Sequence, residues 1–318
     1  MIGIGRLLTS CSIRTLNELC KLFTVRKLPR SSQNLNYRLS QLSSISETPK
    51  IAAQLFAMIV VAIQICGCKT AQVDSSLLPT AKVVKRQQLV INSDFHVPIR
   101  HRLIDELVAR QSDIADKLRL PVSDEPINIY LFEDSDKFQN FMRKLHPDFA
   151  DRRAFFVKND TQLRIFAHWG PRVGEDLRHE VTHGYLHSVV PNMALWMDEG
   201  FAEFFEVPRG KRGINSQHIY QLSNRYRHSE WLPNLERLES IRSPADLTQA
   251  DYAESWLWVH YLLETNEATR KFIQDHLARL RLSGSDTPIS EQIKTLLPDA
   301  EIQLVEHLRK LAEQEENQ

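Results

Sequence analysis

In 318 residues, 40 Lys and Arg are matched by 40 Asp and Glu. A chain without net charge projects no overall field to gather nucleic acid, so composition gives no reason to expect that partner. All four cysteines, Cys11, Cys20, Cys66 and Cys68, precede residue 69, which excludes disulfides and cysteine-held metals from the rest of the chain. That remainder is long enough to bury a large core without such staples.

The first fifty residues are polar and basic, and residues 51 to 65 then run almost without charge. This stretch is short for a spanning helix, which needs about 20 residues, and suits the apolar centre of a secretory signal. Ile65-Cys66-Gly67-Cys68 follows directly and resembles a bacterial lipobox, which implies a lipid on Cys68 as the mature N-terminus. The reading is then a leader over 1–68, with translation starting downstream of Met1, near Lys50. A membrane would hold the exported protein through that lipid or through an uncleaved anchor, on the outer side of the cytoplasmic membrane. Residues 69–86 are polar and mixed and read as a tether.

A folded domain is expected over 87–318. Residues 88–95 read as a strand, and Pro98 is placed to open a helix reaching Leu118, with Leu103, Ile104, Leu107, Ile114 and Leu118 in the helical repeat. A second strand is expected over 127–132 and a helix over 136–145. Strands over 154–157 and 161–167 are joined around Asn159-Asp160 as a hairpin.

Next comes Leu177-Arg178-His179-Glu180-Val181-Thr182-His183. On a helix, His179 and His183 are four residues apart and only about 40° apart around the axis, so two imidazoles can converge on one metal ion. Glu180 lies at the edge of that face, where a carboxylate can take a proton from a water activated by the metal. These are the mechanics of the H-E-x-x-H signature. Leu177, Val181, Gly184 and Tyr185 make the opposite, apolar face, and Pro191 ends the helix.

A catalytic zinc takes three protein ligands and leaves a position open, so a third ligand is required. His187 is one candidate, although it is rotated around the helix from the first pair. The helix expected over 195–206 offers others: Glu199, Glu203 and Glu206 fall on one stripe, with Met197, Phe201, Phe204 and Phe205 opposite. Residues 208–213, Pro-Arg-Gly-Lys-Arg-Gly, read as an exposed loop. Helices follow over 214–227, around 251–263, over 267–281 and over 291–313.

His179-Glu180-x-x-His183 followed by Trp196-Met197-Asp198-Glu199-Gly200-Phe201-Ala202 resembles the gluzincin metallopeptidases, the group of thermolysin-like proteases and zinc aminopeptidases, and among them the small bacterial peptidase-MA-like proteins. The resemblance implies Zn²⁺ held by His179, His183 and Glu199, with Asp198 and Glu203 orienting the histidines. It implies Glu180 as general base and Tyr252 as a hydroxyl that supports the oxyanion. It also makes residues 163–168 the sheet edge that pairs with an extended substrate. The metzincin pattern fits less well, because Leu186 and Val189 stand where its Gly and third His belong.

Together these expectations describe an α+β, zincin-like fold: a small N-terminal mixed sheet with helices, an active-site helix, and a mainly helical C-terminal subdomain. The expected function is zinc-dependent hydrolysis of a peptide or protein substrate at the bacterial cell envelope. The alternative is a catalytically inactive lipoprotein that binds zinc or peptides.

Overall fold

A computed structural model describes residues 77–317. The apolar stretch 51–65, the lipobox and Cys68 lie outside the described residues. The described elements run β1 (Lys82–Arg86), β2 (Leu89–Ser93), α1 (Arg102–Leu118), β3 (Ile127–Phe132), α2 (Ser135–Leu145), β4 (Ala154–Asn159), β5 (Gln162–His168), α3 (Val173–His187) and α4 (Leu195–Glu206). A helical remainder follows: α5 (Ser216–Arg227), α6 (Leu235–Ser240), α7 (Gln249–Glu264), α8 (Glu267–Ser283), α9 (Ile289–Leu296) and α10 (Ala300–Glu316). The architecture is therefore α+β, with one mixed five-stranded sheet followed by a mainly helical C-terminal part. Among the described residues, no helix is long and apolar enough to cross a membrane.

The strand order is β1-β2-β3-β5-β4, with β2, β3 and β5 parallel and the outer strands antiparallel to their neighbours. Alternation builds its faces. Leu89 and Ile91, Ile127, Ile129 and Leu131, and Leu163, Ile165 and Ala167 belong to the core that also takes in Ile104, Leu107, Ile114 and Leu118 of α1 and Leu177 and Val181 of α3. A second cluster, Phe132 and Phe166 with Phe138, Phe141 and Met142 of α2, closes around the other side. Burial on both sides explains why the inner strands are so rich in Ile and Leu.

Two sequence expectations are corrected here. The tether expected to reach residue 86 ends earlier, because Lys82–Arg86 pairs with β2 through a tight turn in which Gln87 takes a φ of 51°. That strand is legible only through its partner, since it leaves its lysines exposed at a sheet edge. Residues 163–168 are not an edge: β5 is hydrogen-bonded to β3 on one side and β4 on the other. The edge belongs to β4. A smaller difference concerns α1, which starts at Arg102 after a His101 cap rather than at Pro98.

Helix α7 is the hub of the C-terminal part. It packs against α4, α5, α8 and α10 and buries residues on every side, including Trp256, Trp258 and Tyr261. A helix buried all round, with Glu254, Ser255 and His260 among its buried residues, needs such a surrounding. Its contact with α4 is unusually close at Gly200, where a Cβ would stand 2.5 Å from the Ser255 carbonyl oxygen.

Candidate metal centre

Helix α3 carries His179, Glu180 and His183 through the middle of the molecule. Val181 and Leu177 anchor its apolar face, and the Tyr185 hydroxyl donates to the Leu107 carbonyl oxygen at 2.9 Å, tying α3 to α1. Helix α4 returns alongside α3 in the opposite sense, so its first turn meets the end of α3 and its last turn meets the start. Trp196, Met197, Phe201, Phe204 and Phe205 bury one side of α4, and its carboxylates face α3.

Three ligand atoms converge between these helices. Glu199 Oε2 lies 3.5 Å from His179 Nε2 and 3.6 Å from His183 Nε2. Ligands at about 2.0 Å from a tetrahedral ion stand about 3.3 Å apart, so this spacing suits a metal better than it suits hydrogen bonds. Among the described residues the buried Glu199 Oε2 has no hydrogen-bond partner, which is a costly state for a carboxylate oxygen unless a cation completes it. His179, His183 and Glu199 thus form a group able to hold a metal ion.

The outer nitrogen of each ring faces a carboxylate. His183 Nδ1 lies 3.0 Å from Asp198 Oδ1, and His179 Nδ1 lies 3.1 Å from Glu206 Oε2. The hydrogen bond at His179 fixes the tautomer that leaves its Nε2 free for a metal, whereas the His183 contact is an ion-pair approach without hydrogen-bond alignment. Asp198 lies beside His183, and it also receives His187 Nε2 at 2.8 Å. His187, considered as a ligand, is not part of that triad, although its ligand atom converges with those of His183 and Asp198 in a second such group.

Glu203 does not hold His179. Its Oε2 meets His218 Nε2 of α5 at 2.7 Å, and Glu206, one turn further along α4, meets His179. The antiparallel course of the two helices decides this, since a position later on α4 reaches an earlier position on α3. Asn215 Nδ2 donates to Glu206 Oε1 at 3.1 Å and steadies it. Glu206→Gln is therefore expected to weaken metal binding about 10- to 100-fold, and Glu203→Gln much less. Competition titration with a metal chelator measures both, and equal losses would refute the assignment.

Electrostatics at the site follow from this arrangement. Burial opposes charge on His183, but Asp198 and Glu199 outweigh it and push the ring up to about 10. Burial likewise resists ionisation of Glu199, yet the two histidines hold its carboxyl down at about 2. Glu180 differs: burial dominates and raises its carboxyl above the usual range, and it has no hydrogen bond among the described residues. A carboxylate so placed accepts a proton readily.

Glu180 opens into a cleft of about 460 Å³ also lined by His179, Arg152, Arg153, His218 and Tyr252. Tyr252 reaches it from the first turn of α7, which a capping box of Thr248 and Asp251 secures. Burial first, and then the Glu199 charge, raises the Tyr252 hydroxyl and keeps it a neutral donor. Phe156 of the edge strand β4 stacks on the rings of His183 and His187, at 5.7 and 5.4 Å, so the free sheet edge runs beside the centre. Glu206, His218, Asn215 and Arg152 were not assigned roles by the sequence. Glu206 alone left a signal there, in the acidic stripe of α4. No family model and no curated protein matches the sequence.

Proposed function

We propose that the chain is a zinc-dependent peptide hydrolase of the gluzincin type, with a zincin-like fold, tethered at the cell envelope through Cys68. The observation that supports this best is the convergence of His179, His183 and a Glu199 oxygen unsatisfied among the described residues, beside Glu180, a buried carboxylate with no hydrogen bond among them. Two imidazoles and one carboxylate are a donor set suited to Zn²⁺. Zinc held there would supply Lewis acidity toward a carbonyl and activation of water.

The residues of the chain divide the remaining work. Glu180 takes the proton of the attacking water and returns it to the leaving amine, a task for which its raised carboxyl is suited. Tyr252 donates a hydrogen bond to the carbonyl oxygen as negative charge develops there, a contribution of about 3 kcal/mol for a well-placed donor. Glu206 holds the His179 ring in the tautomer the metal needs, and Asp198 stands beside His183. The open edge of β4 offers backbone amides and carbonyls to an extended peptide, without demanding particular side chains.

Elemental analysis of the full-length chain and of His183→Ala tests the centre. One zinc per chain is expected in the parent and none in the variant, with cleavage of a mixed peptide library lost alongside the metal. No zinc in the parent after reconstitution would overturn the reading.

A further inference from the structure

The cations of the cleft are unequal. Arg153 is committed to Asp176, with Nη2 at 2.7 Å and Nε at 3.0 Å, and reaches Glu175 at 3.4 Å. Arg172 pairs with Glu175. Of the acids that line the cleft, Glu203 is answered by His218 and Glu206 by His179 and Asn215, while Glu180 has no hydrogen bond among the described residues. Arg152 has no carboxylate within 4 Å among the described residues, although the exposed Asp151 precedes it and also lines the cleft.

Its position is nonetheless set. The guanidinium carbon lies 5.5 Å from the centre of the Phe149 ring, which stacks on Phe155 of β4. Arg152 lines the same cleft as Glu180 and Tyr252. It also stands just before β4, where the free sheet edge begins.

A guanidinium held on an aromatic face, half-buried and without an acidic partner, is arranged to receive an anion from outside. Its planar fork matches a carboxylate in particular. We propose that Arg152 binds a substrate carboxylate near the attacked bond, so that the cleft prefers peptides carrying an acid at that place. Arg152 and Glu180 line one cleft, so the carboxylate belongs to a residue near the attacked bond. The acid is either a free C-terminus or an Asp or Glu side chain. The inference builds on the peptide-hydrolase reading, and the test separates the two.

Binding is measured on the full-length, zinc-reconstituted Glu180→Gln chain, which is expected to hold peptides without cutting them. The probes are a random hexapeptide library in free-acid and in amide form, and a fixed-sequence amidated series with Asp, Glu, Asn or Gln at each position. A preference of about tenfold for one acidic form is expected, for the free acid if the terminus is read and for Asp or Glu at one position if a side chain is. Arg152→Ala in the same background should abolish that preference, while Arg152→Lys should keep part of it. Equal binding of every acid and its neutral counterpart, or a preference that survives Arg152→Ala, overturns the proposal.

Hydrolysis by the unmutated Glu180 chain is the second readout. Cleavage without carboxylate preference would sustain the peptidase reading and remove the role of Arg152. An Arg152-dependent preference in binding, without cleavage by any preparation, would do the reverse. If Arg152 served the oxyanion instead, Arg152→Ala would lower kcat equally on acidic and neutral peptides, with KM unchanged. That pattern also refutes carboxylate recognition.

Discussion

Glu180→Gln should retain one metal ion per chain and lose between about 10² and 10⁴ in kcat, the range a general base contributes. The reasoning is geometric. Glu180 is not among the converging ligand atoms of His179, His183 and Glu199, so removing its charge leaves the donor set whole. Its side chain is buried without a hydrogen-bond partner among the described residues, so an amide of the same shape disturbs no contact. On the proposed mechanism, what the substitution removes is the proton acceptor beside the attacked carbonyl. Metal analysis and steady-state kinetics on one cleaved peptide make the measurement. Unaltered kcat would show that another group takes the proton, and loss of metal would show that Glu180 is a ligand.

The parts of the site set by helical spacing were open to reading from the chain. His179, Glu180 and His183 lie within five consecutive positions, and the bounds of α4 at residues 195 and 206 follow from its two opposed stripes. Asp198 sits next to Glu199 and is carried with it. The assignments that failed depended on the register and order of distant elements. Whether Glu203 or Glu206 reaches His179 is decided by the antiparallel packing of α4 on α3 and by His218 arriving from α5. Both carboxylates belong to one stripe, and nothing local distinguishes them.

The sheet edge failed for the same reason. The hairpin of β4 and β5 was visible in the sequence, but which of its strands pairs with β3 is a property of the whole sheet. Had β4 joined β3, the free edge would have been β5. The consequence for function is small, because β4 still presents a free edge with Phe156 against the metal histidines. The consequence for the proposed carboxylate preference is larger, since the edge strand begins just after Arg152.

The packing of α4 on α7 links stability to this site and makes Gly200→Ala a sensitive probe. A Cβ at Gly200 would stand 2.5 Å from the Ser255 carbonyl oxygen, 2.8 Å from its carbon and 2.8 Å from a Val259 methyl group. Two of these atoms are helix backbone, which cannot rotate away, so the helices themselves must separate. Overpacking of this kind costs about 3 kcal/mol, and the better helix propensity of Ala returns about 1 kcal/mol. The net loss of about 2 kcal/mol should lower Tm by roughly 4 to 8 °C in a domain of this size. Gly184→Ala is the control: there the Cβ meets only Ile127 side-chain atoms, the nearest at 2.9 Å, which can shift, so its loss should be smaller. Because α4 carries Glu199 and α7 carries Tyr252, separating them should also lower kcat below what the remaining folded fraction explains. Thermal melts, metal content and kcat measured on both variants decide the matter, and a Gly200→Ala chain as stable and active as the parent would show that the two helices are not held at the distance the site requires.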